Sequence, residues 1–288
     1  PDRVLIGGED IEAINTLKNI YLNWVKEDKI ITTDLWSSEL SKLIANAFLA
    51  QRISSINSIS ALCEQTGADI HNVAKAIGMD SRIGDKFLKA GPGFGGSCFK
   101  KDISNLVYIC NHYGLSEVAN YWEQIIRINV WQRKRISEII VETLFGTISG
   151  KKIAILGFSF KSDTNDTRES PAIEICKDLL EEGCNLSIYD PRVNKSQIIN
   201  DLTLDGDKSK ENIYKNQLTI NENAYESIKS ADAIVIITNW QEFYNLDFES
   251  YFQIMRRPSW IFDTRDVVDE VELKKIGFKV WKLGKGKI

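Results

Sequence analysis

Lys152-Ile-Ala-Ile-Leu156 is followed by Gly157-Phe-Ser-Phe-Lys161. A continuous β-branched and apolar run bounded by a glycine reads as a strand buried on both faces. Outward from it, helical and strand patterns alternate to the end of the chain. Helices are expected at Ala172–Glu182, Glu222–Ser230 and Asp269–Ile276. Strands are expected at Asn185–Tyr189, Ala233–Thr238, Trp260–Asp263 and Lys279–Trp281. Such alternation is the pattern of a parallel sheet with crossover helices, so residues 150–288 form a Rossmann-like domain. The polar segment Asn200–Asn216 reads as a mobile surface insertion.

Upstream of Gly150 the character is helical. Ser37 to Thr66 has no Pro or Gly, and a helix of about 30 residues spans roughly 45 Å. Helices follow near Asp69–Ile77, Asp102–Tyr113 and Glu117–Phe145, making 35–149 a helical central domain. On the long helix, Leu40, Leu43, Ala47, Ala50, Ser54 and Asn57 recur at helical spacing, a stripe expected to pair with a second copy of the chain. Residues 1–34 read as the last pieces of an α/β domain: strand Arg3–Gly7, helix Ile11–Val25, strand Ile30–Thr33. The fold class is therefore α/β, a helical central domain followed by a Rossmann-like parallel-sheet domain. The chain opens on Pro1 and runs almost at once into a strand, which reads as a piece of something longer.

With 43% hydrophobic and 26% charged residues, the 288-residue chain has the composition of a soluble globular protein. Its net charge of -4 gives no footing for nucleic acid or an anionic membrane surface. The run Arg133-Lys134-Arg135 is expected on a solvated helix face. No apolar run is long enough to span a bilayer. Five cysteines without a CxxC pair point to free thiols and a reducing, cytoplasmic setting. Two histidines leave no HExxH zinc site, so no metal is expected, and acid–base work falls to Lys, Asp or Glu.

The chemistry concentrates in Gly91-Pro-Gly-Phe-Gly-Gly-Ser-Cys98. Its glycines let backbone approach a ligand closely. Cys98 falls where the loop gives way to a helix, beside Lys100 and Lys101, where the dipole and the lysines favour a thiolate nucleophile. Cys63, Cys110, Cys176 and Cys184 lie in apolar stretches, where cysteine serves as a small hydrophobe. Lys42 and Asn46, four apart, share a helix face among apolar neighbours. Two readings stand: donors aimed into a site, or a surface pair of Lys42 with Glu39. Asp102, one turn past Cys98, suits either a helix N-terminus or proton handling. Gly157-Phe-Ser-Phe is a broken dinucleotide fingerprint, with Asp190 placed as a ribose-binding acid would be. Arg265 follows a strand, where arginine commonly grips phosphate.

Together, Trp36–Leu43, Ala45–Asn57, Gly93-Phe-Gly-Gly-Ser-Cys98 with Lys101-Asp102, and Phe160-Lys161 with Asp163, Asp166 and Arg168-Glu-Ser170 resemble the eukaryotic-type UDP-glucose 6-dehydrogenases of the UDP-glucose/GDP-mannose dehydrogenase family. The likeness runs from Arg3 to about Trp281. It implies NAD-dependent, four-electron oxidation of UDP-glucose to UDP-glucuronate through a thiohemiacetal and a thioester on Cys98. It implies that Lys42 and Asn46 steady oxyanion character and that Asp102 assists water or proton transfer. Phe87, Leu88, Lys89, Gly91, Gly93, Phe94, Gly95, Phe160, Lys161 and Arg265 would hold UDP-glucose. Cys98, Lys101 and Arg168 would face NAD. Arg82 would reach the substrate of a neighbouring subunit in a homodimer or larger assembly. It also makes 1–34 the tail of an N-terminal dinucleotide-binding domain otherwise outside this sequence. The alternatives are a related 6-dehydrogenase using GDP-mannose or a UDP-N-acetylhexosamine, or a non-catalytic module that binds UDP-sugar and assembles.

Overall fold

The structure, a computed structural model, describes residues 2–203 and 216–286. The chain divides into two compact units, Pro1–Leu49 with Lys101–Glu123, and Ala50–Lys100 with Gln124–Ile288.

The second unit is built on the sheet that the opening stretch anticipates. Strands β3 (Lys152–Leu156), β4 (Asn185–Tyr189), β5 (Leu218–Ile220), β6 (Ala233–Ile236), β7 (Trp260–Asp263) and β8 (Lys279–Lys282) are all parallel. Their order is β5-β4-β3-β6-β7-β8, the doubly wound arrangement, so the strand order reverses between β3 and β6. Side chains alternate across the sheet. Ile153, Ile155, Val235 and Phe262 pack on one face with α6 (Pro171–Glu181), α7 (Lys195–Thr203), Ile136 and Ile140 of α5 (Ser116–Thr143), and Leu144 just after it. Ala154, Leu156, Ile234, Ile236 and Ile261 pack on the other with α8 (Ala224–Ile228), α9 (Phe248–Ile254) and α10 (Glu270–Ile276). Each such aliphatic side chain contributes about 1.5–3 kcal/mol by leaving water, which is why the central strands are apolar from Ile153 to Leu156 and from Ala233 to Ile236. Ser170 caps α6, accepting from the Ala172 amide, with Pro171 in the first turn.

Three elements differ from expectation. β5 and α9 are present but unanticipated, since three residues of strand and a helix of seven carry too little periodicity to announce themselves. The expected insertion Asn200–Asn216 is helical at its start: residues 200–203 close α7 over the buried Ile198 and Leu202. Residues 204–215 lie outside the described residues.

The first unit contains β1 (Val4–Gly7) and β2 (Ile30–Thr33), paired in parallel and linked through α1 (Ile11–Tyr21). Ile6, Val25 and Ile30 form a small core there. The long helix α2 (Leu35–Thr66) and the helices α4 (Phe99–His112) and α5 contribute residues to both units, and α3 (Ile70–Gly78) lies in the second. Four of the six stripe residues on α2 do not face outward as expected, while Leu40 and Leu43 are half-buried. Ala47, Ala50, Ser54 and Asn57 are all buried within the chain. Ser54 Oγ donates to the Ile125 carbonyl at 3.1 Å, and Asn57 Oδ1 accepts from the Gly91 amide at 2.8 Å. Small residues permit that close approach, but the covering partners of Ser54 and Asn57 belong to the same chain. Exposed large apolar side chains on α2 are others: Leu35, Trp36, Phe48, Ile59 and Leu62. No helix among the described residues is long and apolar enough to cross a membrane.

Candidate active site

The glycine-rich loop is irregular backbone inside the second unit, and buried irregular backbone needs hydrogen-bond partners. Four buried side chains supply them. Asn57 takes the Gly91 N–H, and Gln132 donates to the Gly91 carbonyl at 2.9 Å. Asn129 grips Phe94 twice, accepting from its amide at 2.8 Å and donating to its carbonyl at 3.0 Å. Arg133 donates to the Phe94 carbonyl at 2.6 Å and the Glu169 carbonyl at 3.0 Å, and pairs with Glu174. The run Arg133-Lys134-Arg135 is therefore not a solvated face. Arg133 and Arg135 are buried, 2% and 8% exposed, and only Lys134 faces water. Arg135 pairs with Glu64 at 2.7 Å. The driving force is the loop's carbonyls, since an unmet buried polar group costs about 1–3 kcal/mol. Glycine is required where the loop meets its neighbours: a Cβ on Gly95 would stand 2.5 Å from the Glu169 carbonyl oxygen.

Cys98 ends this loop, exposed, immediately before α4 begins at Phe99. The other four thiols are buried. Burial pushes Cys184 up to about 12 and raises Cys63 and Cys176 as well, so they are held protonated. Lys100 does not serve the thiol as expected. Its Nζ is bound to both carboxylate oxygens of Glu169 at 2.9 and 3.1 Å. Lys101 is exposed. Arg168 does lie by the thiol. Its carbonyl accepts from the Gly96 amide at 2.8 Å. The Asp166 carboxylate, chelating its guanidinium, raises its pKa, and the Cys98 sulfur adds a smaller push the same way.

At the crevice where the strand order reverses, Gly157 (φ 89°) packs so close to Thr238 that a Cβ would lie 2.4 Å from the Thr238 Cβ. Asp190 is not free to bind a ribose. One oxygen accepts from the Phe158 and Ser159 amides and Trp240 Nε1, the other from the Arg192 and Val193 amides. The ribose-acid expectation fails because the carboxylate is consumed in folding two loops. Arg265 meets expectation in place. Its Nε donates to the Ile237 carbonyl at 2.7 Å, and a guanidinium nitrogen lies 3.0 Å from where a Gly91 Cβ would be. Loss of hydration pulls its pKa down to about 10. The Phe160 ring covers Gly96, and Lys161 Nζ lies 5.4 Å from that ring's centre. Gly91, Gly95, Phe160 and Arg265 thus converge, with Gly93 and Phe94 in the wall behind them. Leu88 is buried, while Phe87 and Lys89 are exposed. Arg82 is not gathered to this place: it is exposed and chelates Asp80.

In the first unit, Lys42 and Asn46 converge on one acceptor. Lys42 Nζ lies 3.0 Å and Asn46 Nδ2 2.5 Å from Oδ2 of Asp102, which is 6% exposed. Of the two readings of that helix face, the pairing of Lys42 with Glu39 is not the one formed. The ammonium, amide and carboxylate make a compact donor–acceptor set in which Asp102 holds both donors in register.

Asn57, Asn129, Gln132 and Arg133 escaped the sequence reading as site residues. A signal existed: Asn129, Gln132 and Arg133 fall on the same stripe of α5 as the buried Ile125, Ile136 and Ile140, and polar groups on a core stripe need internal partners.

Residues 36–131 match the central domain of the UDP-glucose/GDP-mannose dehydrogenase family, and residues 154–270 its UDP binding domain. The chain is 53% identical over 297 residues to UDP-glucose 6-dehydrogenase 2 of Arabidopsis thaliana, covering 99% of the chain and 62% of that protein. It is 54% identical over 288 residues to UDP-glucose 6-dehydrogenase of Drosophila melanogaster, covering 99% and 60%. The structure of a UDP-glucose dehydrogenase from the hyperthermophilic archaeon Pyrobaculum islandicum superposes with a TM-score of 0.82 at 27% identity, over all of this chain and 59% of that one. The chain thus spans about three-fifths of the length of these relatives. Two successive domains of a single family account for most of the sequence, thiol loop and sheet crevice included, and the chain belongs to the UDP-glucose/GDP-mannose dehydrogenase family.

Proposed function

We propose that this chain carries the thiol and the nucleotide-sugar site of an NAD-dependent UDP-glucose 6-dehydrogenase, which oxidises the C6 alcohol of UDP-glucose to the carboxylate of UDP-glucuronate. The observation that carries the reading is the convergence of Gly91, Gly95, Phe160 and Arg265, in the unit whose loop ends at Cys98. A partly dehydrated arginine against a glycine backbone is a phosphate-binding arrangement. The aromatic face and glycine surface leave room for a base or sugar ring. The domain plan proposed with it is 1–34 as the tail of a dinucleotide-binding domain, 35–149 as the central domain and 150–288 as the UDP-sugar domain.

The β3–β4 turn does not fit a dinucleotide, because Asp190 has no free oxygen. The exposed edge beside the thiol does fit one, since Arg168 is a fixed, solvent-facing cation there. Cys98, Lys101 and Arg168 are the residues proposed to meet NAD. When bound, NAD accepts hydride from C6 in each of two oxidations. Between them the thiolate of Cys98 adds to the C6 aldehyde, forming a C–S bond and placing negative charge on the C6 oxygen. Lys42 and Asn46 are the donors proposed to hold that charge, with Asp102 keeping them in register and taking or giving the proton. Loss of hydride from the thiohemiacetal leaves a thioester, and water then breaks the C–S bond and frees the thiolate. Covalent capture holds the aldehyde between the two oxidations.

Calorimetry of this chain with UDP tests the binding half. Saturable binding that Arg265→Ala weakens is expected, and equal heats from both proteins would remove Arg265 from the site. NADH absorbance on adding NAD and UDP-glucose separates catalysis by the chain from binding alone. Self-association is also proposed, with Arg82, 87% exposed in its side chain, presented to a neighbour. A solution mass of 32.7 kDa by light scattering would overturn that part.

A further inference from the structure

We infer that Arg52 is a positioning residue for the nucleotide-sugar site: from α2 it fixes the backbone of residues 83–86, and so sets Phe87 and Lys89 on one side of that turn and Arg82 on the other. The inference rests on the proposed role of Phe87, Leu88 and Lys89 in holding the substrate.

Arg52 Nε donates to the Lys86 carbonyl at 2.8 Å, one terminal nitrogen to the Ile83 carbonyl at 2.9 Å and the other to the Gly84 carbonyl at 2.7 Å. Three carbonyls are thereby met by one planar fork, which no other side chain can supply. The turn has little else to define it. The Ile83 and Gly84 amides return to the Asp80 carbonyl, and Arg82 is tied back to the Asp80 carboxylate. The Lys86 carbonyl belongs to the peptide plane that leads into Phe87. Phe87 sits at φ 61°, a left-handed conformation that side chains adopt at a cost and keep only when their surroundings impose it.

The far end of the segment is held by the same helix. Asn57, five residues on, takes the Gly91 amide. At 1.5 Å per residue, the two grips stand about 7.5 Å apart along α2. The strap between them alternates: Phe87 and Lys89 are exposed, and Leu88 is buried. Arg52 therefore acts at a distance from any ligand, by fixing which way two exposed side chains of the strap point. Without it, the peptide plane before Phe87 loses its hydrogen bond, and the strap is held by the buried Leu88, by Ala90 and by the bond at Gly91.

Calorimetry of the 288-residue chain with UDP-glucose tests this. Arg52→Ala should weaken binding about tenfold, roughly the value of one charge-assisted hydrogen bond. Because the side chain is half-exposed, free guanidinium ion at sub-denaturing concentration should re-enter the cut-out space and restore most of that affinity. Sodium chloride and urea should not, and Arg265→Ala should show no such rescue. Arg52→Lys should remain weak, since one ammonium cannot span three carbonyls, and it serves in place of the alanine variant should that one fail to fold. Wild-type affinity in Arg52→Ala, or an affinity loss that tracks a lowered melting temperature and ignores guanidinium, would overturn the inference. Absence of UDP-glucose binding by the unaltered chain would instead overturn the reading of the site, and this inference with it.

Discussion

Two buried aspartates are held in opposite ways. Asp190, at the crevice of the sheet unit, accepts from five N–H groups, four of them backbone. Asp102, in the helical unit, accepts from two side chains, Lys42 and Asn46. Backbone donors cannot leave without unfolding the loops that carry them, so Asp190 works as a bolt. Side-chain donors can turn to another acceptor through rotations of low cost, which is what the role proposed for Asp102, handing Lys42 and Asn46 to a developing oxyanion and taking them back, requires. What separates a structural carboxylate from a chemical one is the mobility of its donors, not its burial.

The largest effect is expected at the thiol. Cys98→Ser should abolish net UDP-glucuronate formation by the whole enzyme, because a serine hydroxyl is a poor nucleophile without a base to activate it. Cys98 is exposed, so the unfolding midpoint should hold. Near-normal acid formation by that variant would sink the nucleophile assignment.

The next effect belongs to the bolt. Asp190→Ala strands several buried N–H groups, each costing about 1–3 kcal/mol, and should lower stability by about 3–5 kcal/mol in urea unfolding. A loss below about 1 kcal/mol would mean that water replaces the carboxylate, and the comparison with Asp102 would collapse. On the other side, Lys42→Ala or Asn46→Ala should slow turnover by about 10²–10³. The urea midpoint should move little, since a largely exposed partner such as Lys42 contributes about 0–1 kcal/mol. A rate within a few-fold of wild type would make the cluster as structural as Asp190.

Much of this was legible in the sequence, for physical reasons that vary by element. β3, β4 and β7 appear where expected, because strands buried on both faces are mostly apolar between their ends. The thiol loop was legible because glycine clusters have few uses. The small and polar members of the α2 stripe, Ala47, Ala50, Ser54 and Asn57, were misjudged, since small residues look alike whether a second chain or the chain's own loop lies against them. Arg133 was misjudged because charge on a helix usually seeks water, and the carbonyls that draw it inward lie about forty residues upstream, at Phe94, and downstream, at Glu169. Asp190 was misjudged because strand-end carboxylates bind riboses and cap loops from the same position.

The smallest effect concerns a carboxylate between these extremes. Asp166 binds its own neighbour, Arg168, through both guanidinium contacts and the backbone amide. The hydrogen bond from Arg168 lowers its pKa below the ordinary value of 3.8, against some opposition from burial. A carboxylate with a depressed folded value contributes stability that is present above its unfolded value and lost as pH falls through the folded one. The difference in urea stability between wild type and Arg168→Met should therefore be constant from about pH 6 down to about pH 5 and fade toward about pH 2. Asp263 runs the other way. Burial raises its pKa despite its amide donors, so its contribution is present below the unfolded value and lost as pH rises through the folded one. Both proteins carry Asp263, so it cancels in the difference and leaves Asp166 alone in the acid window. A difference that persists unchanged to about pH 2 would show that the Arg168 side chain contributes through something other than the Asp166 carboxylate, since the Gly96 bond to the Arg168 backbone carbonyl is common to both proteins and cancels.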